Sequence, residues 1–284
     1  MDGKTEPRAG TLYVVATPIG SLRDITLRAL DVLRDVDLIV AEDTRVTRAL
    51  LSAHGIGNTV APVHLRDERR AADVVIRALS ENKSVALVSD AGTPAVSDPG
   101  AALVAQVRDA GFSVTPVPGP SAVAALLSVA GMALPRWLFV GYLPAKPADR
   151  RRELKALAAE ACGLVFYEAP HRIVECADDL AEILGGERRV CVGRELTKRF
   201  ETLHSCTLAI LPDWLRADAD RQRGEFALVC EGTRETGAQI EAGRVVDALA
   251  AELPPAQAAR LAARITGAPR DELYARARKA GPKT

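Results

Sequence analysis

Four short segments rich in glycine, proline and acidic residues each follow an apolar run, at residues 16–20, 41–45, 89–94 and 118–122. Glycine and proline let the backbone approach a ligand closely, and the carboxylate of Asp90 suits a ribose hydroxyl or an ammonium group. Ordinary strand-to-helix turns use the same residue types. One such loop alone therefore identifies no ligand, and the argument depends on where all four lie.

The common nucleotide-binding and hydrolytic signatures are absent from the sequence. It has no G-x-x-x-x-G-K-[ST] phosphate loop, no G-x-G-x-x-G and no H-E-x-x-H, and residues 119–123 lack the last glycine of a G-x-S-x-G elbow. These absences argue against an ATPase, a dehydrogenase, a zinc protease and a serine hydrolase.

The first half of the chain alternates apolar runs with helical patterns. The apolar runs at 12–15, 38–40, 85–88 and 114–117 predict buried strands. Helical periodicity at 25–33, 67–79 and 121–129 separates them, with Asp24 or Ser21 expected to cap the first helix. The pattern predicts a mostly parallel α/β sheet, and its four loops would then lie at strand carboxyl ends, where such sheets bind ligands.

A glycine- and proline-containing break at 131–135 predicts a domain boundary. We expect a polar, disordered tail at 1–10, a first α/β domain at 11–133, a second α/β domain at 134–233 and a helical extension at 234–284. Strands are predicted near 137–140, 164–167, 190–192 and 226–230. In the extension, two helices at 255–265 and 270–279 flank a glycine-containing turn, a pattern similar to a helix-turn-helix unit.

Composition limits the class of protein. No apolar run approaches the roughly 20 residues that span a membrane, and no signal-peptide core follows Met1, so we expect a cytoplasmic protein without a membrane partner. The five cysteines lack C-x-x-C spacing, which argues against a zinc site. The 37 basic residues balance the 37 acidic ones. Residues 260–284, however, carry seven basic residues against two acidic ones, and they form either a solvated helical surface or a site for a polyanion.

Six stretches taken together resemble one known family. They are 13–20 (YVVATPIG), 41–45 (AEDTR), 87–100 (LVSDAGTPAVSDPG), 117–122 (VPGPSA), 166–172 (FYEAPHR) and 194–198 (RELTK) with 201–202 (ET). In order, they resemble the tetrapyrrole methylase superfamily, the class III S-adenosylmethionine methyltransferases, and within it the ribosomal RNA small subunit methyltransferase I family. The resemblance covers about residues 11–231, and the helical pair resembles that family's small helix-turn-helix extension.

This resemblance implies a fold, a cofactor and a substrate. Two α/β domains would hold S-adenosylmethionine in a cleft between them, and a homodimer would 2′-O-methylate a cytidine in the decoding region of 16S rRNA in the small ribosomal subunit. Three departures from the family pattern are Ser21, Ala169 and the run 64–68 (HLRDE), which lacks a second histidine. The cofactor-binding residues implied are Pro18, Asp90, Ala91, Gly92, Thr93, Ser121 and Ala122 from the first domain, and Tyr167, Glu168, Phe226 and Ala227 from the second.

A ribose hydroxyl is a weak nucleophile, so a nearby proton acceptor would accelerate transfer. The catalytic candidates are Glu42 and Asp43, then Glu195 and Lys198. Glu42 and Asp43 could equally cap the helix that begins at Thr44.

Substrate contacts are expected from three residues, Arg45, His171 and Arg172, although His171 could instead be a capping or core residue. RNA binding also requires cations that contact phosphates. The further candidates are Arg66, Arg69, Arg70, Lys146, Arg150, Arg151, Arg152, Arg194, Lys198, Arg199 and the basic segment 260–284.

Two other functions remain open on sequence grounds. One is a methyltransferase of the same fold that acts on a tetrapyrrole carbon, and the other is an RNA-binding module without catalysis. The runs at 42–45 and 167–172 favour RNA over a tetrapyrrole, and the intact loop at 89–94 argues against a module that only binds.

Overall fold

The computed structural model describes residues 7–62, 68–233 and 237–280. Within them lie two five-stranded sheets followed by a helical bundle, which confirms the predicted architecture. Residues 63–67, which include the candidate Arg66 and all of the run 64–68 except Glu68, lie outside the described residues. Residues 1–6 of the predicted tail also lie outside the described residues, whereas Gly10 donates a backbone hydrogen bond to Lys83.

The first sheet is entirely parallel and has the strand order β3-β2-β4-β1-β5. Its strands are β1 (Thr11–Val15), β2 (Leu38–Ala41), β3 (Val60–Pro62), β4 (Val85–Val88) and β5 (Ser113–Val117). Its helices are α1 (Leu27–Asp35), α2 (Thr44–Ala53), α3 (Glu68–Ser80), α4 (Ala101–Asp109) and α5 (Ala122–Val129). Parallel strands need crossover helices, which bury both faces of this sheet and explain why β4 is apolar at every position.

The cap predicted for the first helix was wrong. Ser21 and Asp24 border a short 3-10 turn, and the Thr26 hydroxyl instead accepts the hydrogen bond from the backbone N–H of Ala29. A threonine with extended backbone at this position satisfies an N–H that otherwise has no partner at the start of a helix. The helix therefore begins two residues later than the periodicity predicted.

The second sheet is mixed, with the order β6-β7-β10-β8-β9, and only β6 and β7 pair in parallel. Its strands are β6 (Trp137–Tyr142), β7 (Gly163–Glu168), β8 (Arg189–Arg194), β9 (Thr202–Thr207) and β10 (Phe226–Cys230). Its helices are α6 (Pro147–Leu157), α7 (Ile173–Leu184) and α8 (Leu211–Arg216). The sequence did not predict β9, since its residues alternate between partly buried and exposed positions at the sheet edge and form no apolar run.

The bundle contains α9 (Gly237–Ala250), α10 (Pro255–Thr266) and α11 (Arg270–Ala280). Gly267 ends α10 in the left-handed conformation, with φ +74°, and its N–H donates to Ala263. Small side chains such as Ala258 and Ala262 are fully buried, so the helices pack closely. The described residues contain no helix that is both long and apolar enough to cross a membrane.

Candidate functional site

A cleft of about 310 Å³ opens between the two sheets, at the carboxyl ends of the first-sheet strands. The residues that line it from the first sheet are Ile19, Glu42, Asp90, Ala91, Gly92, Thr93, Val96, Ser97, Asp98, Ser121 and Ala122. Those that line it from the second are Tyr142, Tyr167, Gly193, Leu196, Glu225, Phe226 and Ala227. Parallel strands place their carboxyl ends on one edge of a sheet, which explains why loops distant in sequence meet here.

Hydrogen bonds join three of these loops to one another. Thr17 and Gly92 exchange both backbone hydrogen bonds, at 2.8 and 3.0 Å, and the Thr93 hydroxyl donates to the carbonyl of Pro120 at 3.3 Å. Gly92 has φ +76°, a backbone conformation that residues other than glycine rarely adopt. The neighbouring strands β4, β1 and β5 thus end in one rigid, backbone-lined wall.

The opposite wall is aromatic. The ring of Tyr167 meets those of Phe139 and Tyr142 edge to face, with centroids 5.1 and 5.6 Å apart. Antiparallel pairing places Ala227 of β10 beside Tyr167 of β7. Burial raises the pKa of the Tyr167 hydroxyl to about 12, so at neutral pH it is a protonated hydrogen-bond donor and not a base.

The charges that face the cleft are all negative: Glu42, Asp90, Asp98 and Glu225. Burial raises the pKa of Glu42, and the charges of Asp90 and Asp98 raise it further. Burial also raises the pKa of Asp98. No lysine, arginine or histidine is found among the described residues that line the cleft. Like charges in a partly desolvated space favour a cationic ligand, which relieves their repulsion.

Most of the predicted cofactor residues lie in the walls of this cleft. Pro18 and Glu168 do not. The Glu168 side chain is buried and accepts two hydrogen bonds from Arg172, at 2.5 and 2.9 Å. The sequence reasoning missed Asp98, although it lies within the motif at 87–100, and it missed Tyr142 and Glu225, which no motif contained. Folding brings these two residues to the cleft from strand ends distant in sequence.

The two carboxylates predicted side by side as catalytic occupy different environments. Glu42 lines the cleft, whereas Asp43 caps α2 by accepting the backbone N–H of Arg45 at 2.8 Å. Hydrogen bonds from the Arg45 side chain and then its backbone lower the pKa of Asp43 to about 2. Such a carboxylate is a poor proton acceptor. The capping alternative therefore describes Asp43, but not Glu42.

Glu195 and Lys198 form an ion pair of 2.9 Å at the rim of the cleft, and Lys198 also pairs with Glu225 at 2.9 Å. Burial alone would lower the pKa of Lys198, but the hydrogen bonds to both carboxylates outweigh it and raise the pKa. A lysine held protonated cannot accept a proton. This geometry favours a role for Lys198 in fixing the rim.

The three residues predicted to contact the substrate lie in different places in the structure. Arg45 is on the surface, with 87% of its side chain exposed. His171 is exposed beside a shallow depression apart from the cleft. Arg172 is largely buried between Glu168 and the carbonyl of Leu143, to which it donates at 3.3 Å. Because Leu143 follows Tyr142, Arg172 supports the aromatic wall.

One proposed RNA contact was wrong. Arg150 is only 2% exposed and donates to Asp179 at 2.6 Å, so it cannot reach a phosphate. Arg151 pairs with Asp179 and Glu182, and only Arg152 of this run is fully exposed. The carboxylate of Asp179 in α7 holds the first of the three arginines in the core, which a charge count could not show.

Gly20 packs against the loop that joins β8 to β9. A Cβ atom there would approach the Lys198 side chain to 2.5 Å, the Thr197 hydroxyl to 2.6 Å and the Leu196 carbonyl to 2.9 Å. We therefore expect Gly20→Ala to lower the free energy of unfolding by about 1–3 kcal/mol, the usual cost of overpacking. Thermal denaturation would measure it. Gly57→Ala is the matched control, because nothing lies within 4 Å of a Cβ there. Equal midpoints for the two variants would contradict the prediction.

Two protein-family models match the chain, one over most of its two sheets and one over its helical bundle. Residues 11–212 match the family model described as tetrapyrrole (corrin/porphyrin) methylases, and residues 236–279 match the RsmI C-terminal helix-turn-helix domain. Relatives named ribosomal RNA small subunit methyltransferase I include one from Xylella fastidiosa (strain Temecula1), 51% identical over 93% of this chain and 98% of its own. Another, from Pseudomonas aeruginosa, is 49% identical over 95% and 97%, respectively.

Solved structures share the two-sheet fold at low sequence identity. A cobalt precorrin-4 methyltransferase covers 78% of this chain and 95% of its own, with 20% identity and a TM-score of 0.58. A uroporphyrin-III-C-methyltransferase from Thermus thermophilus covers 78% and 94%, with 22% identity and a TM-score of 0.56. At these identities the likeness establishes the fold alone.

Proposed function

Because the chain belongs to the ribosomal RNA small subunit methyltransferase I family of tetrapyrrole methylases, we propose that it transfers a methyl group from S-adenosylmethionine to a cytidine ribose 2′-hydroxyl in the decoding region of 16S rRNA. The observation that carries this proposal is the acidic cleft, where the motif loops after β1, β2, β4 and β5 converge. The relatives at about 50% identity are named as ribosomal RNA methyltransferases, which favours this function over both alternatives from the sequence.

The residues of the cleft fit the proposed cofactor. S-adenosylmethionine carries a sulfonium and an ammonium group, which complement the carboxylates of Glu42, Asp90 and Asp98. The rings of Tyr142, Tyr167 and Phe226 offer an apolar surface for its base. The backbone at 91–93 approaches closely because Gly92 has no side chain. We propose these contacts for Asp90–Thr93, Ser121, Ala122, Tyr167, Phe226 and Ala227, and a supporting role for Pro18 and Glu168.

When bound, the cofactor supplies an electrophilic methyl group on an excellent leaving group. The rigid walls can therefore remove much of the barrier by alignment alone. We propose Glu42 as the acceptor of the ribose hydroxyl proton, since it faces the cleft and its raised pKa strengthens it as a base. Asp43 fixes the start of α2 next to it. Glu195 and Lys198 hold the rim.

Cations outside the cleft would hold the RNA. Arg260, Arg264, Arg270 and Arg278 of the bundle are exposed, and among the described residues none of the four has a carboxylate partner. Arg276 instead pairs with Asp247 at 2.8 Å and joins α11 to α9. We propose that the four exposed arginines, together with Arg45, contact RNA phosphates. A protein with no net charge can still bind phosphates where its basic residues are clustered.

We also propose a homodimer in the cytoplasm, where ribosomal subunits occur. Support comes from the outer edge of the second sheet, where Trp137 and Leu138 of β6 are 47% and 40% exposed, and from Val129, which is 51% exposed. An uncovered edge strand with apolar side chains is a common pairing surface. Sedimentation velocity of the purified protein would measure the mass of the assembly.

The function is tested by incubating the protein with labelled S-adenosylmethionine and small ribosomal subunits that lack the modification, and then mapping the label. We expect one labelled ribose, resistant to alkaline cleavage, at a cytidine of the decoding region. Label on a base would contradict the ribose assignment. No label in RNA, with label in a tetrapyrrole supplied in parallel, would support the C-methyltransferase instead.

Acid should inhibit the reaction through Glu42. Because its pKa is raised above the ordinary 4.5, the carboxyl binds a proton as the pH falls and then can neither attract a cation nor accept a proton. Activity should therefore rise with pH through this raised pKa. Glu42→Gln should lower kcat by about 10²–10⁴-fold and flatten the acidic limb of the pH profile.

Asp43→Asn is the matched control for that profile. Asparagine also caps helices, and the pKa of Asp43, at about 2, lies well below the raised pKa of Glu42. This variant should keep the acidic limb of the wild type. A Glu42→Gln protein with an unchanged profile would exclude Glu42 as the proton acceptor.

A further inference from the structure

The segment 195–201, here called the rim loop, joins β8 to β9 and exposes an aromatic side chain. Phe200 is 65% exposed, and the guanidinium of Arg199 lies 5.5 Å from the centroid of its ring. None of the catalytic steps above uses either residue. Most of the Phe200 ring faces solvent, so the ring is available to a partner.

The backbone conformation and the hydrogen bonds of the rim loop hold it in one shape. Glu195 and Thr197 have φ of +51° and +62°, a strained conformation for residues with side chains. Hydrogen bonds hold it: the Thr197 N–H donates to Glu201 at 2.5 Å, and Arg194 donates to the Phe200 carbonyl at 3.0 Å. A fixed loop loses little conformational entropy when a partner binds to its side chains.

The rim loop also forms one border of the cleft. Leu196 lines the cleft, and Lys198 pairs with Glu225, another lining residue. From the first domain, the Ser21 N–H donates to the Thr197 hydroxyl at 3.1 Å. Phe200 therefore lies in the same loop as Leu196, a residue of the cleft wall.

Charge identifies the kind of partner. The described lining of the cleft carries carboxylates and no cation, so it repels phosphates, and a polyanionic substrate must be held outside it. Arg199 is suited to this task, since no carboxylate pairs with it among the described residues. An exposed ring next to a free guanidinium is the combination that binds an unstacked base and its phosphate in single-stranded RNA.

We propose that Phe200 and Arg199 form a stacking platform for a nucleotide that neighbours the methylated one. This inference rests on the proposed function. The base lies on the ring of Phe200, the adjacent phosphate is bound by Arg199, and the target ribose then reaches into the cleft. The platform thereby sets which nucleotide of the strand is presented to the cofactor.

The test uses the full-length protein, small ribosomal subunits that lack the modification, and a single-stranded RNA with the decoding-region sequence. Phe200→Ala should raise the KM for RNA by about 5- to 150-fold, the usual effect of removing a stacked base contact, with the Kd for S-adenosylmethionine unchanged. Phe200→Trp should restore the KM, whereas Phe200→Leu, which is apolar but has no π face, should not. Arg199→Ser should weaken RNA binding and reduce the slope of log K against log salt by about 0.7.

Two controls carry matched changes elsewhere. Ile210→Ala removes another exposed apolar side chain, 55% accessible, from the same domain. Arg108→Ser removes an exposed arginine from the last turn of α4, outside the cleft lining. Both should leave the KM for RNA as in the wild type.

The possible failures are distinguishable. A wild type that methylates the subunits, together with a Phe200→Ala variant of equal KM, would overturn the platform and leave the proposed function standing. A wild type that transfers no methyl group to RNA would overturn both. If Phe200→Ala dissociates a dimer in sedimentation and its KM for RNA stays normal, the ring serves a protein contact and the platform is refuted.

Discussion

Asp90→Asn should weaken the binding of S-adenosylmethionine by about 10- to 150-fold, the range for a hydrogen bond or close contact that involves a charged group. Asparagine keeps the shape of the side chain, and its carbonyl can still accept the 2.9 Å hydrogen bond from the Asp43 N–H. The variant therefore removes charge from the cleft without disturbing the start of α2. Isothermal titration calorimetry would measure the Kd.

The demethylated product provides an internal comparison. S-adenosylhomocysteine has lost the sulfonium charge, so Asp90→Asn should weaken its binding less than that of the methyl donor. Asp109→Asn, an exposed change at the end of α4, should affect neither ligand. Equal losses for donor and product would show that charge in the cleft does not distinguish them, and an unchanged Kd for the donor would remove Asp90 from the binding site.

The largest expected loss of stability comes from Asp179→Ala, far from the cleft. Asp179 accepts hydrogen bonds of 2.6 Å from both Arg150 and Arg151, and Arg150 is 2% exposed. Without Asp179, the nearest remaining carboxylate is Glu175, at 3.8 Å from Arg150. Removing one partner of a buried ion pair costs about 3–5 kcal/mol, because the other charge stays buried without compensation. Urea denaturation followed by circular dichroism would measure the change.

Two further variants show whether burial is the cause. Asp178→Ala breaks an ion pair with Arg216 in which both side chains are nearly half exposed, so it should cost no more than about 1 kcal/mol. Arg150→Met combined with Asp179→Leu replaces the buried pair with apolar groups and should recover most of the stability. A double variant as unstable as Asp179→Ala would contradict this explanation.

Local patterns predicted much of the fold because they record burial directly. The apolar runs of β1, β2, β4 and β10 were found, since strands covered on both faces contain few polar residues. The edge strands β3 and β9 were not found. The predicted domain boundaries, which fall between the two sheets and before the bundle, remain predictions.

The candidate site was predictable where a motif contained it. The loops at 89–94 and 118–122 lie in the cleft, as their place after buried strands had indicated. A motif could not distinguish the roles of two adjacent residues whose side chains have the same chemistry. Glu42 and Asp43 are neighbours in sequence, but one faces the cleft while the other caps a helix.

Sequence patterns alone identified the family, the two-sheet α/β architecture and most of the loops that line the cleft. Periodicity and turn chemistry depend on neighbouring residues, so the sequence records them directly. A long series of motifs in a fixed order leaves few alternative families. The tertiary structure decided which charges are free to act. Arg150, Arg172 and Lys198 all counted as available cations in the sequence, yet each is held by a carboxylate that folding brings from another segment or turn. Electrostatic roles depend on distances and burial, and the order of residues along the chain does not record them.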